Sequence, residues 1–419
     1  MTMTTDDKRF EDLALQASQV FSPGAPINER DLFSGRREQI RRAVDAVNQA
    51  GQHAIIFGER GVGKTSLSRV LSQYLSVGHN QVVTPSVNCE TADSFGSVWK
   101  KVFSRIDVIE PGYAVMGFSN PGRQMDVFKL SDRLAGDPIN ADAVRDQLEQ
   151  LSQQMSPVII VDEFDRLPRD AARGFADVIK GLSDHAVGAT VILVGVGDSV
   201  DHLIEDHESV GRALKQIRMP RMASDEIVTI VQKGLDALGM TITDDALRRI
   251  ILLARGLPHY AHLMGLHASR AALDDGFTVI DVESVQNGIE QAINDAQRTI
   301  QTAFLEATQS VKKVALFGDV LLACALADSD ERGYFSAADV RTELRKITGK
   351  EYDIPSFAQH LADFSSDKRG NVLIKEGDTR YKYRFRDPLM QPYVVMQGLK
   401  NEKVDDRILE LGANFPHET

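Results

Sequence analysis

Residues Gly58 to Thr65 read Gly-Glu-Arg-Gly-Val-Gly-Lys-Thr, a complete phosphate-binding loop. The glycines let the backbone curl so that successive N–H groups face a phosphate. Lys64 sets a point charge near the β- and γ-phosphates, and the Thr65 hydroxyl suits a Mg²⁺ ion. The expected cofactor-binding run is therefore Gly58, Glu59, Arg60, Gly61, Val62, Gly63, Lys64, Thr65 and Ser66. A second run, Val158-Ile-Ile-Val-Asp-Glu-Phe-Asp165, carries two acids after four β-branched residues. Asp162 would hold the metal with Thr65. Glu163 would polarise the water that attacks the γ-phosphate. Asp165 is read either as part of this acidic site or as structural.

These residues need a frame. His53–Phe57 reads as a short buried strand and Ser66–Leu75 has helical apolar spacing. Strand, glycine loop and helix is the order that points a helix N-terminus at phosphate. The Val158–Val161 run reads as a strand buried on both faces, as in a parallel sheet, with its acids at the carboxyl end where such sheets bind ligands. Gln81–Val87 and Thr190–Val196 read as further strands. Helices are expected up to Ala50, over Phe95–Phe103, over Ala141–Met155 behind an Asn140 cap, and over Asp170–Ser183. Residues 107–139, rich in Gly, Pro, Asn and Asp, are expected to be an irregular insertion. Asp198, after the Thr190–Val196 strand, has two readings: a polar side chain sensing the γ-phosphate, or a turn-former. Lys215–Met219 reads as one more strand, closed by Pro220.

The chain has 419 residues, enough for two or three domains with real cores. Its composition is that of a globular protein, and its net charge of −12 argues against non-specific coating of nucleic acid. Cys89 and Cys324 stand far apart without a metal-ligand pattern, which predicts two buried thiols. The first residues show no apolar signal segment, and Val314–Ala327 is too short to span a bilayer and is broken by Asp319. A cytoplasmic protein with no membrane contact is expected.

The pattern resembles an AAA+ ATPase core. More narrowly, over roughly residues 25–395, it is similar to the group joining origin-recognition initiators with STAND-type regulatory ATPases. The resemblance implies an α/β three-layer core with a parallel sheet, a helical lid and a C-terminal winged helix. The implied division is a flexible segment 1–25, a core 26–221, a lid 222–308, a winged helix 309–396 and a charged tail 397–419. It implies ATP·Mg²⁺ as cofactor and substrate, and hydrolysis to ADP. It places Arg212 as an arginine finger acting on a neighbouring subunit's ATP, hence a homo-oligomer; the alternative is a surface arginine. Gly256-Leu-Pro-His259 matches the lid motif, with His259 where initiator-like members carry a phosphate-sensing arginine. His259 is read either as a pH-dependent sensor or as a packing residue, with Arg255 as a fallback cation.

Beyond residue 310, three helices (Val314–Ala327, Ala337–Ile347 and Ser356–Phe364) precede a hairpin over Gly370–Phe385. In its second strand Tyr381, Tyr383 and Phe385 alternate with Arg380, Lys382 and Arg384. The aromatics are expected to pack inward. The cations, with Lys368, Arg369 and Lys375, would face duplex DNA. Two other readings stand: a solvated strand, or cations paired with the chain's own acids. Function is thus an ATP-driven assembly or conformational switch associated with DNA, or alternatively a STAND-like switch for a protein partner.

Overall fold

The computed structural model describes residues 5–23, 36–78, 82–111, 125–133, 139–196, 210–309, 316–330, 332–377 and 381–405. A parallel sheet lies at its centre. The strand order is Val82–Val83, Ser156–Asp162, Thr190–Gly195, His53–Gly58 and Leu214–Met219, and Ser86–Asn88 also pairs with Ser156–Asp162. Every pairing in this sheet is parallel. Its central strands are largely apolar because both faces are covered, while the edge strand Leu214–Met219 alternates and carries Lys215, Gln216 and Arg218. Successive residues of one strand feed opposite cores. Ile160, Ile192 and Val194 join one cluster, while Ile159, Val191 and Leu193 join the other. That is the period-two alternation of a strand between two helical layers, and it makes the core a three-layer α/β structure.

One layer is built around an aromatic stack. Trp99 lies 5.4 Å from Phe175, nearly parallel, and Phe164 meets Phe175 edge-on at 5.5 Å. Phe164 directly follows Glu163, so this stack anchors the acidic turn. The opposite cluster runs without a break from the sheet through the helices of residues 224–308 into the C-terminal elements.

Several expectations are corrected. The N-terminal residues, expected to be flexible, form a helix over Thr5–Val20. Ala17 and Phe21 are fully buried, and the Phe21 ring packs where Gly234 and Gly265 leave room: a Cβ on either would lie within 2.3–2.5 Å of it. The polar composition hid a helix that needs only a narrow apolar seam. Within 107–139, Asp107–Pro111 and Met125–Lys129 form an antiparallel hairpin followed by a 3₁₀ turn at Leu130–Arg133. Within the segment expected to be a helical lid, extended backbone at Ala296 and Gln297 separates the helices Val282–Asp295 and Arg298–Thr308. The charged tail begins later than expected. A helix over Met390–Lys400 is mostly buried, and Val404 is also buried.

The C-terminal elements are helices Phe317–Leu326, Ala337–Thr348 and Ile354–Phe364 with a three-stranded antiparallel sheet. In that sheet Lys382–Phe385 lies between Phe335–Ser336 and Leu373–Glu376. Cys89 and Cys324 are both buried thiols, as expected. Among the described residues, no helix is long and apolar enough to cross a membrane.

Candidate functional site

The phosphate-binding loop leaves the His53–Gly58 strand and ends in the helix Lys64–Gly78. Gly61 and Gly63 have φ of +84° and +92°, a region that side chains rarely adopt. Lys64 Nζ donates to the carbonyls of Gly58 and Glu59 at 2.9 and 2.8 Å. Burial lowers the lysine's pKa, and the negative charges of Asp165, Asp162 and Glu59 oppose that effect. The ammonium is thus held inside the loop by partners that a phosphate could replace.

The acidic turn meets the loop in one cavity of about 340 Å³, lined by Gly61–Ser66, Asp162, Glu163 and Asp165 among others. Asp162 is buried and its Oδ1 accepts the Glu163 N–H at 2.8 Å. Glu163 takes φ 55°, ψ 35°, a left-handed backbone that costs a non-glycine residue on the order of 1–3 kcal/mol. Its carboxylate pairs with Arg166 at 3.1 Å. Asp165 accepts the Val196 N–H at 3.1 Å, tying this strand end to the next, and also lines the cavity. Asp198 lies outside the described residues.

Arg212 is exposed on a short helix, Val210–Ala213. The next residue but one, Leu214, pairs with His53, while Met219 pairs with Gly58. Arg212 therefore sits at the amino edge of the sheet and the loop at its carboxyl edge. The six-residue strand between them spans about 17 Å at ~3.3 Å per residue. This placement keeps Arg212 away from its own loop.

His259 lines the cavity, and its Nδ1 lies 2.7 Å from the Pro23 carbonyl oxygen. Burial lowers its pKa. A carbonyl only accepts, so the neutral ring carries its proton on Nδ1 and leaves Nε2 as an acceptor. In that form the ring brings no positive charge to a phosphate. The fallback cation is also elsewhere. Arg255 donates to the Ala325 carbonyl at 2.8 Å and is not among the cavity's lining residues.

Sequence reasoning missed four features of the site. Arg36 is buried beside the loop with φ 61°. It donates to the carbonyls of Pro220 at 2.5 Å and Val62 at 3.4 Å, and its N–H meets Glu226. Arg166 pairs with the candidate base. His262 and the Ser22–Pro23 segment also line the cavity. Arg166 stands three residues after Glu163, a local spacing; the other three reach the loop through tertiary packing and have no spacing signature.

The C-terminal segment also reaches the loop. Arg60 pairs with Asp387 at 2.9 Å. Glu59 pairs with Arg221 at 2.8 Å, and Arg221 donates to Gln391 Oε1 at 2.6 Å. A Cβ on Gly61 would lie 2.6 Å from Leu389 Cδ2, and the Leu389 carbonyl accepts the buried Tyr260 hydroxyl at 2.6 Å. Glu59 and Arg60, expected only to line the nucleotide, thus also fasten the C-terminal elements to it.

The basic face is less open than expected. Lys382 pairs with Asp330 at 3.0 Å and Lys368 lies 3.9 Å from Asp363. Arg369 stacks 3.8 Å from the Phe317 ring centre and donates to the Gln309 carbonyl. Lys375 lies over Tyr381 and Arg384 over Tyr334. Arg380 lies outside the described residues. Tyr383 and Phe385 are buried as expected, but Tyr381, which precedes the paired strand, is 42% exposed.

Sheet order, glycine loop and acidic strand end together define a P-loop nucleotide-binding fold of the AAA+ type. Residues 47–204 match the family model described as an AAA domain. No curated protein matches the chain. Among solved structures, the Walker-type ATPase of Pyrococcus abyssi is 16% identical, with 90% of this chain and 99% of that chain covered and a TM-score of 0.55. The ORC2 protein of Aeropyrum pernix is 15% identical over 94% and 98% of the chains, with a TM-score of 0.49. Cdc6p from Pyrobaculum aerophilum is 16% identical over 93% and 99%, with a TM-score of 0.45. The first of these likenesses supports the fold.

Proposed function

We propose that the protein is an ATP-driven conformational switch whose C-terminal module responds to the state of the phosphate-binding loop. The observation that carries this reading is the contact of Asp387, Leu389 and Gln391 with Arg60, Gly61 and the Glu59–Arg221 pair. Phosphate drawn into the loop would compete for Lys64 and shift the carbonyls of Gly58 and Glu59, and so disturb that contact. Lys64, Thr65 and the loop N–H groups would hold the nucleotide. Thr65 and Asp162 would hold Mg²⁺, which would neutralise charge developing on the phosphates. Glu163, once released by Arg166, would take a proton from the attacking water.

The three helices and antiparallel hairpin have the element order of a winged helix, and residues 222–308 that of a lid. Arg212 would complete the site of a neighbouring copy, since its place at the far sheet edge suits action between subunits. If so, mixing Arg212→Ala protein with Lys64→Ala protein restores part of the hydrolysis that each lacks. No restoration overturns the role in trans.

Two partners suit the module. Duplex DNA is favoured by the cations on and beside the hairpin, since Lys368 and Lys382 keep more than half of their side-chain surface exposed and exposed ion pairs yield readily to phosphate. A STAND-like protein partner is favoured by those same cations already being paired within the chain. The deciding measurement is ATP hydrolysis against protein concentration, with and without duplex DNA, using Glu163→Gln as blank. A rate per subunit that rises with concentration and changes with DNA supports assembly on DNA. A low rate indifferent to DNA points to the protein partner.

A further inference from the structure

Among the described residues, the lysine and arginine side chains that line the cavity are Arg36, Arg60, Lys64 and Arg166. Arg36 is tied to the carbonyls of Val62 and Pro220, Arg60 to Asp387 and Gln297, and Lys64 to the loop's own carbonyls. Arg166 is held differently. Its Nη2 lies 3.1 Å from Oε1 of Glu163, the candidate base. While that pair stands, one oxygen of the base faces a guanidinium and not a water.

The turn that carries both residues is stiff. The Arg166 N–H donates to the Glu163 carbonyl at 2.9 Å, Phe164 packs on Phe175, and Asp165 accepts the Val196 N–H. The Arg166 side chain itself is half-exposed, so the guanidinium can change partner by rotation of its own side chain, with the backbone still. An exposed ion pair between residues three apart is weakly held. A terminal phosphate is a stronger partner, since it has up to two charges and three oxygens for the guanidinium fork. Among the described residues, the lid offers that phosphate no cation. His259 is neutral and directs its Nδ1 proton at the Pro23 carbonyl, and Arg255 is bound to the Ala325 carbonyl outside the cavity.

We propose that Arg166 senses the terminal phosphate of the nucleotide bound in its own subunit and thereby releases the base. Without that phosphate, Arg166 holds Glu163. With it, the guanidinium moves to the phosphate oxygens and leaves the carboxylate to the attacking water. In the hydrolysis that follows, the water oxygen bonds to the γ-phosphorus and the bond from that phosphorus to the β,γ-bridging oxygen breaks. ADP leaves with the bridging oxygen, and the water's proton passes to Glu163. ADP has no γ-phosphate, so it leaves the pair closed. The inference rests on the nucleotide reading of the loop and on Glu163 as the base.

The test titrates the full chain with ADP and with the β,γ-imido analogue of ATP, which resists hydrolysis. Arg166→Ala should weaken the analogue on the order of tenfold and leave ADP unchanged. Arg166→Lys, which keeps the charge without the fork, should recover part of that loss. If the Ala variant does not fold, the Lys variant alone must lower the ratio of analogue to ADP affinity. Exchange of partners has a further signature. In the unaltered protein, loss of the Glu163 pair offsets part of the phosphate contact. Arg166→Ala should therefore cost the analogue a few-fold more in a Glu163→Gln background than by itself. An unchanged ratio overturns the proposal, as does an equal loss of both ligands, which is what a structural role would give. A ratio that falls equally in both backgrounds overturns the release of Glu163. Lys64→Ala in the same titration separates the two levels. It should lose the analogue and ADP alike, and if it loses neither, the nucleotide reading falls and this inference with it.

Discussion

Lys64→Ala protein is expected to bind ATP more weakly by on the order of a hundredfold, while staying folded. The figure corresponds to losing one charge-assisted contact to phosphate, about 1.5–3 kcal/mol. The fold should tolerate the change because the ammonium is a buried charge whose partners are two loop carbonyls, those of Gly58 and Glu59. Removing it takes away a desolvation cost as well as two hydrogen bonds. The apo melting temperature should therefore move little, while the rise in melting temperature that saturating ATP gives the unaltered protein should shrink by the equivalent of up to about 2.7 kcal/mol. Calorimetric titration and thermal unfolding with and without ATP measure both. Unchanged affinity would remove the loop from the nucleotide site.

Glu163→Gln is expected to hold ATP within a few-fold of the unaltered affinity and to slow turnover by about 10²–10⁴-fold, the usual worth of a positioned general base. The amide has the shape of the carboxylate but does not take up a proton. The backbone should survive the change. Its left-handed turn is fixed by the Asp162 carboxylate on the Glu163 N–H and by Phe164 packed on Phe175, not by the Glu163 side chain. The Arg166 pair at 3.1 Å is lost, but it is half exposed and contributes little. Single-turnover hydrolysis with a parallel binding measurement separates the two effects. Near-normal hydrolysis would show that another group activates the water.

The legible parts of this protein are the local ones. The loop and its helix occupy consecutive residues, so glycine, lysine and threonine could be matched to tasks directly from their order. The acidic pair was legible because a doubly buried strand is a continuous apolar run with a sharp end. The N-terminal helix was misread because its seam of Ala17 and Phe21 is narrow. Its meaning depends on Gly234 and Gly265, more than two hundred residues away. The division of the helix at Ala296 was hidden because no proline or glycine marks it.

By itself, the sequence determined the nucleotide-binding segments, the parallel sheet and the order of helices and hairpin beyond it. Each depends on propensity and periodicity, which act over a few residues. The tertiary structure alone decided what surrounds the phosphate-binding loop. It brought Arg36, Pro23 and His262 to one cavity, set Arg212 at the far edge of the sheet, and laid Asp387 and Leu389 on the loop. It also turned the cations of the hairpin toward the chain's own acids and rings. Such contacts join residues far apart in the chain through burial and shape, and neither leaves a repeat or spacing in the sequence.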